Sequence, residues 1–179
     1  MEKNGKGTDQ ELKQRLIAMA KEDQAVRKRE YVSNAAPESL VKEQQQTDDR
    51  LTAELKRIIA GKGWPTISLV GLEASEDAAL ILTHTRDHDL QRELIPKLQR
   101  LAEDGKILGS QIALIVDKVL VSEGKPQRFG SQFDFAHGRG KMLPVEDPEH
   151  LDERRAQYLL PPMAEYKKML AEMYHAAFE

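Results

Sequence analysis

Residues Gln111–Gln132 read Gln-Ile-Ala-Leu-Ile-Val-Asp-Lys-Val-Leu-Val-Ser-Glu-Gly-Lys-Pro-Gln-Arg-Phe-Gly-Ser-Gln. At 3.6 residues per turn, Ile112, Ile115, Val116, Val119 and Leu120 fill one side of a helix, and Ala113, Leu114 and Val121 fill most of the rest. A helix that is apolar all round is a buried one, so this segment is expected to be the central helix of an all-α fold. Asp117 falls inside the apolar arc, between Ala113, Leu114 and Val121. A buried carboxylate is costly unless it is paired or hydrogen-bonded, and the cation expected beside it is Arg128 first and Lys118 second. Gly124 ends the helix and Pro126 keeps it ended. The polar, Gly-containing run Gln127–Gln132 then starts next to the core, which makes it the place to expect a site.

Outward from this helix, the chain carries the marks of further helices. Glu11 to about Glu30 has an apolar stripe of Leu12, Leu16, Met19 and Ala20. Continued by threes and fours, that stripe lands on Asp23 and Arg27, so a core-facing line turns polar partway along. The plainest account of this is a solvated helix end with one ion pair four residues apart. A break at Asn34–Pro37 precedes a second helix, from about Glu38 to Ala60. Its first half is hydrophilic, and Leu51, Leu55, Ile58 and Ile59 give the second half a buried face. Gly61–Gly63 ends it, and Trp64-Pro65 opens an extended segment in which the chain's one Trp is expected to plug the core.

A third helix begins at Leu72 on Ala74, Ala78, Ile81 and Leu82, with His84 at the edge of that face. The polar knot Thr85–Asp89 breaks it. A further helix follows on Leu90, Leu94, Leu98 and Leu101, with Pro96 near its start and Gly105 at its end. Beyond Gln132, residues Phe133–Gly140 read as loop or a short hairpin. Asp147-Pro148 opens a helix with Pro at its first position, running to about Tyr158. After Pro161-Pro162, a last helix carries Met163, Tyr166, Leu170, Met173 and Ala177. The expected fold is an all-α, single-domain bundle of six to eight helices with at most a short β-hairpin. Residues 1–10 are expected to form a disordered N-terminal end, and residues 11–179 one helical domain.

Composition bounds the function. A chain of 179 residues suits one core, and a net charge of −3 with scattered Lys and Arg gives no basic face for nucleic acid. There is no apolar run long enough for a membrane span and no secretory signal at the N-terminus, and a cytoplasmic location is expected. With no cysteine, disulfides, thiol catalysis and Cys-based zinc sites are excluded. His84 and His88 are four apart, a spacing that can place two imidazoles on one metal, but a helix break between them and the absence of a zincin-type Glu leave no metal and no cofactor expected. Arg128 supplies a rigid fork of donors and Gln132 a donor and an acceptor. These two residues serve either a ligand or their own surroundings. Nucleophile-elbow, P-loop and dinucleotide fingerprints are all absent.

A longer series remains. Gly63-Trp64-Pro65-Thr66, Leu69-Val70-Gly71, Ala74, His84 with Asp87 and Gln91, Asp117, Gly124–Gln132, Val145–Asp147, Asp152, Arg154-Arg155, Pro162 and Tyr166 follow one another in this order. Together with Asp23-Gln24 and Arg27, the series resembles the bacterial domain-of-unknown-function family 6624, over roughly Leu12 to Leu170. Its most specific part is Lys125–Gln132. Phe129 and Ser131 stand where members carry Tyr and Thr, Lys118 where they carry Arg, and Leu51 where they carry Asn. The resemblance implies no activity. It implies candidate site residues: Asp23, Gln24, Arg27, His84, Gln91, Asp117, Arg128, Gln132 and Asp152.

Two functions follow, beside a third reading in which the polar cluster is a buried ion-pair network that specifies the fold. The first is a hydrolase or group-transfer enzyme acting on a small polar or anionic molecule, with His84 and Asp117 catalytic and Asp23, Gln24, Arg27, Gln91, Arg128 and Gln132 binding substrate. The second is a non-catalytic module that holds a small ligand or a partner in the same pocket. In either case Asp23, Arg27, His84, Arg128 and Gln132 are expected to converge on one pocket.

Overall fold

The computed structural model describes residues 6–31, 37–136 and 139–178. The fold is all-α with one small sheet. Its contacts fall into two compact units, one of Met1–Asp89 with Leu101–Ile107 and one of Leu90–Arg100 with Leu108–Glu179.

In the first unit, helix α1 (Gln10–Tyr31) packs against both α2 (Glu38–Lys62) and α4 (Leu72–His84). The periodic stripes explain why. Leu12, Leu16 and Met19 of α1 meet a core that holds Leu51, Leu55 and Ile58 of α2 and Ala74, Ala78, Ile81 and Leu82 of α4, all buried. Each fully buried Leu or Ile contributes about 1.5–3 kcal/mol. Asp9 starts α1 by accepting the Leu12 N–H at 3.0 Å, which satisfies one of the orphan donors of the first turn. Just before it, Thr8 and Asp9 donate their N–H groups to Ser68 and Leu69. The surface between α1 and α2 carries the ion pairs Arg15–Glu54, Arg29–Glu43 and Arg50–Glu22. Exposed pairs of this kind are each worth about 1 kcal/mol or less.

Trp64 is buried, as expected of a core plug. The stretch after it is not extended throughout: Ile67–Val70 forms a one-turn helix, α3, between Thr66 and Gly71. Ile67 and Val70, three apart, are both buried, and a helical turn is what places such a pair on one side.

Helix α5 (His88–Glu103) starts straight after the break, so Pro96 lies in its interior rather than near its start. In the second unit, α6 (Gly109–Ser122) is the central helix read from the sequence. Ile112, Ala113, Ile115, Val116, Asp117 and Val119 are buried on it, and Leu114, Leu120 and Val121 are half-buried. It closes at Gly124, whose positive φ of 70° suits glycine. Strand β1 (Phe133–Ala136) pairs antiparallel with β2 (Arg139–Met142), Phe133 opposite Met142. An isolated bridge joins Gln127 to Val145 at the open end of this hairpin. A 3₁₀ turn with Pro148 at its first position leads into α7 (Leu151–Gln157), and α8 (Met163–Tyr174) follows.

Ala177 does not continue the last helix. His175 adopts a left-handed conformation that ends α8, and Ala177–Phe178 forms β3, pairing parallel with Arg139–Gly140 of β2. Backbone hydrogen bonding to a sheet edge has overridden the three-and-four spacing. No helix among the described residues is long and apolar enough to cross a membrane.

Candidate functional site

The first unit gathers four charged or titratable side chains from three helices. His84 is the last residue of α4. Its Nδ1 lies 2.9 Å from both carboxylate oxygens of Asp23 on α1. Arg27, one turn further along α1, reaches the same carboxylate at 3.2–3.3 Å and also Asp48 of α2 at 2.6 Å. Gln24 donates its amide to Asp23 at 2.8 Å. Below the cluster, Thr52 of α2 donates to the Thr85 hydroxyl at 2.8 Å, with both residues buried, and Thr85 accepts the Asp87 N–H at 3.1 Å. The polar knot after α4 is thereby tied to α2, which fixes where His84 ends up.

Arg27 Nε is also 2.9 Å from His84 Nδ1. One ring nitrogen cannot donate to Asp23 and accept from Arg27 at the same time. The Arg27 donors already have oxygens of Asp23 and Asp48, while a carboxylate facing a bare ring nitrogen would be repelled. The proton therefore sits on Nδ1 and is donated to Asp23. Burial pushes the Asp23 carboxyl up, but the hydrogen bonds and charges of His84 and Arg27 outweigh it and hold the group below its ordinary value. Asp48 moves the other way, because its burial is only partly offset by Arg27. Two carboxylates face one guanidinium, so the cluster is neutral when His84 is a cation, and it has no excess of Arg to attract an anion.

The second unit builds its site from a loop. Asp117 is fully buried. Its oxygens accept the backbone N–H groups of Arg128 at 2.7 Å, Phe129 at 2.9 Å and Ser131 at 2.9 Å. Burial was legible in the sequence, but the expected cation partner was not correct: Arg128 offers its backbone N–H, and its guanidinium instead lies 5.9 Å over the Phe129 ring. Gln127, also fully buried, takes the Gln132 N–H at 2.7 Å and donates to the carbonyls of Gln132 and Leu143. Arg154 donates to the Arg128 carbonyl at 3.1 Å, and the fully buried Arg155 to those of Phe129 at 2.5 Å and Pro161 at 2.7 Å. Gly130 completes the loop with φ 68°. Arg128–Gln132 has no regular secondary structure, yet buried side chains satisfy most of its backbone.

Of the residues expected to form a site, Asp23, Gln24, Arg27 and His84 come together in the first unit. Asp117, Arg128 and Gln132 belong to the second, where Gln132 donates to the Ser131 hydroxyl at 3.0 Å. Gln91 is fully buried on α5, and Asp152 accepts the Met163 N–H at the start of α8. Asp48, Gln127, Arg154 and Arg155 were not among the candidate site residues, although the last three stand in the series that carries the family resemblance. Asp48 could have been, since stepping back from Leu55 to Leu51 and three further lands on it. Among the described residues no group of three or more His, Asp or Glu side chains could hold a metal ion.

A family model described as a family of unknown function, DUF6624, matches residues 10–178. The chain belongs to DUF6624. No curated protein and no solved structure matches it. The DUF6624 match runs from the start of α1 to β3, so both the His84 cluster and the Asp117 loop lie inside it.

Proposed function

We propose that this DUF6624 protein is an enzyme that uses His84 as general acid–base in a hydrolysis or other group transfer on a small polar molecule. One observation carries this reading: the Asp23 carboxylate lies 2.9 Å from His84 Nδ1. A carboxylate on one ring nitrogen fixes tautomer and orientation, and leaves the other nitrogen to exchange a proton with a substrate. Nε2 has no hydrogen-bond partner among the described residues, and the His84 side chain is 24% exposed. Arg27, committed to Asp23 and Asp48, fits a positioning role better than direct substrate contact. Asp117, with its oxygens occupied by the loop, likewise fits positioning rather than proton transfer.

The test is a screen of the purified protein against phosphate monoesters, carboxylic esters and amides. The expected outcome is turnover that is lost in His84→Asn and falls by about 10²–10⁴ in Asp23→Asn. Turnover that survives His84→Asn would remove His84 from the chemistry. Saturable binding of panel members without turnover would favour the alternative, a non-catalytic ligand-binding module.

A further inference from the structure

We propose that Arg155 and Tyr166, beneath the Arg128–Gln132 loop, form a binding site for an oxyanion, the carboxylate or phosphate group of a small ligand. This goes beyond the acid–base reading and does not depend on it. It rests on the donors that the loop leaves unused. Arg155 is fully buried. Its Nε and Nη1 go to carbonyl oxygens, and its Nη2 has no hydrogen-bond partner. No carboxylate forms an ion pair with it among the described residues. A buried donor left unpartnered costs about 1–3 kcal/mol, more when charged, so a ligand oxygen there would relieve an existing penalty.

Tyr166 lies directly beside it. Its ring packs 4.7 Å from the Arg155 guanidinium, its hydroxyl has no hydrogen-bond partner among the described residues, and it is only half-buried. Burial, together with the Asp117 charge and against that of Arg155, raises the Tyr166 hydroxyl above its ordinary range. At neutral pH it therefore remains protonated and able to donate. The neighbouring carboxylates are engaged: Asp117 by three N–H groups, Asp152 by the Met163 N–H, and Asp147 by His150 and Arg154. What remains is the Arg155 Nη2 donor and the Tyr166 hydroxyl, which can donate, and an oxyanion is a ligand group that accepts from both. Of the two side chains, Tyr166 is the more exposed.

The test uses the full chain at constant ionic strength, titrated with inorganic phosphate and separately with acetate, and read by calorimetry and by amide shifts of residues 128–132. Wild type is expected to bind one of the two saturably, and which one tells phosphate from carboxylate. Tyr166→Phe keeps the ring under Arg155 and removes only the hydroxyl. It is expected to weaken binding by about tenfold, the effect of losing one well-placed hydrogen bond. No saturable binding of either probe by wild type, or equal affinity in Tyr166→Phe, overturns the site. The readout is binding, so it stands or falls separately from any turnover assay.

Discussion

Asp117 accepts three backbone N–H groups with two oxygens, and removing its carboxylate leaves those donors without their partner. Asp117→Ala is therefore expected to cost about 3–5 kcal/mol in urea unfolding, since each orphaned buried donor costs about 1–3 kcal/mol. Asp117→Asn, which keeps one acceptor, should cost less; a loss under about 1 kcal/mol in the alanine variant would mean that the loop does not rest on this carboxylate. At His84 the expectation is spectroscopic. Nitrogen NMR of the neutral ring should show the proton on Nδ1, held there by Asp23, and Asp23→Asn should shift the tautomer balance; an Nε2-protonated ring in wild type would contradict the assignment. The polarity of Asp23 and Arg27 along an apolar stripe was visible in the sequence, because side chains are letters. The partners of Asp117 were not, because backbone N–H groups are carried by every residue except proline and only folding decides which of them point inward.

At the scale of elements, period decided what could be read. Helices α1, α2, α4, α5 and α6 announce themselves by apolar residues at threes and fours, and they lie close to where that spacing puts them. The misplacements are short: the single turn α3, the position of Pro96 within α5, and Ala177 in β3. A stretch of two to four residues contains too little period to outvote its tertiary partners. The loop Arg128–Gln132 has no period at all, and its shape depends on the left-handed Gly130. A Cβ there would run into the Met163 methyl. That methyl can move, so Gly130→Ala is expected to cost about 1–3 kcal/mol, mostly from backbone strain. Chemical denaturation measures it, and an unchanged midpoint would mean that the loop tolerates another backbone conformation.

For the whole molecule, acid acts in two opposed directions. Asp23 is held below its ordinary value, so its contribution is present above the unfolded carboxyl pKa of about 3.9 and is lost as pH falls through the folded value. Asp77 is pushed up to about 6 by burial and by Glu73 and Glu76, with Lys21 opposing. Its folded form binds a proton that the unfolded chain does not, so between pH about 6 and about 4 stability rises as pH falls. Wild type should thus be no less stable at pH 5 than at pH 7, and should lose stability only below about pH 4. Asp77→Asn should raise stability at pH 7 by about 1–2 kcal/mol and lose that advantage near pH 4; an Asp77→Asn variant without effect at pH 7 would place the carboxyl in solvent. The clamped loop of the second unit has a consequence for proteases. Gly, Ser, Gln and an exposed Arg on a surface loop are ordinarily a site of nicking, but a protease must draw several residues into an extended strand before it can cut. At Arg128 that strand is fastened from both sides, its amides by Asp117 and its carbonyls by Arg154 and Arg155. Trypsin should spare this bond in the folded wild type and take it readily in Asp117→Ala, which would make the rate of that one cleavage, followed by mass spectrometry, a gauge of whether the loop is fastened.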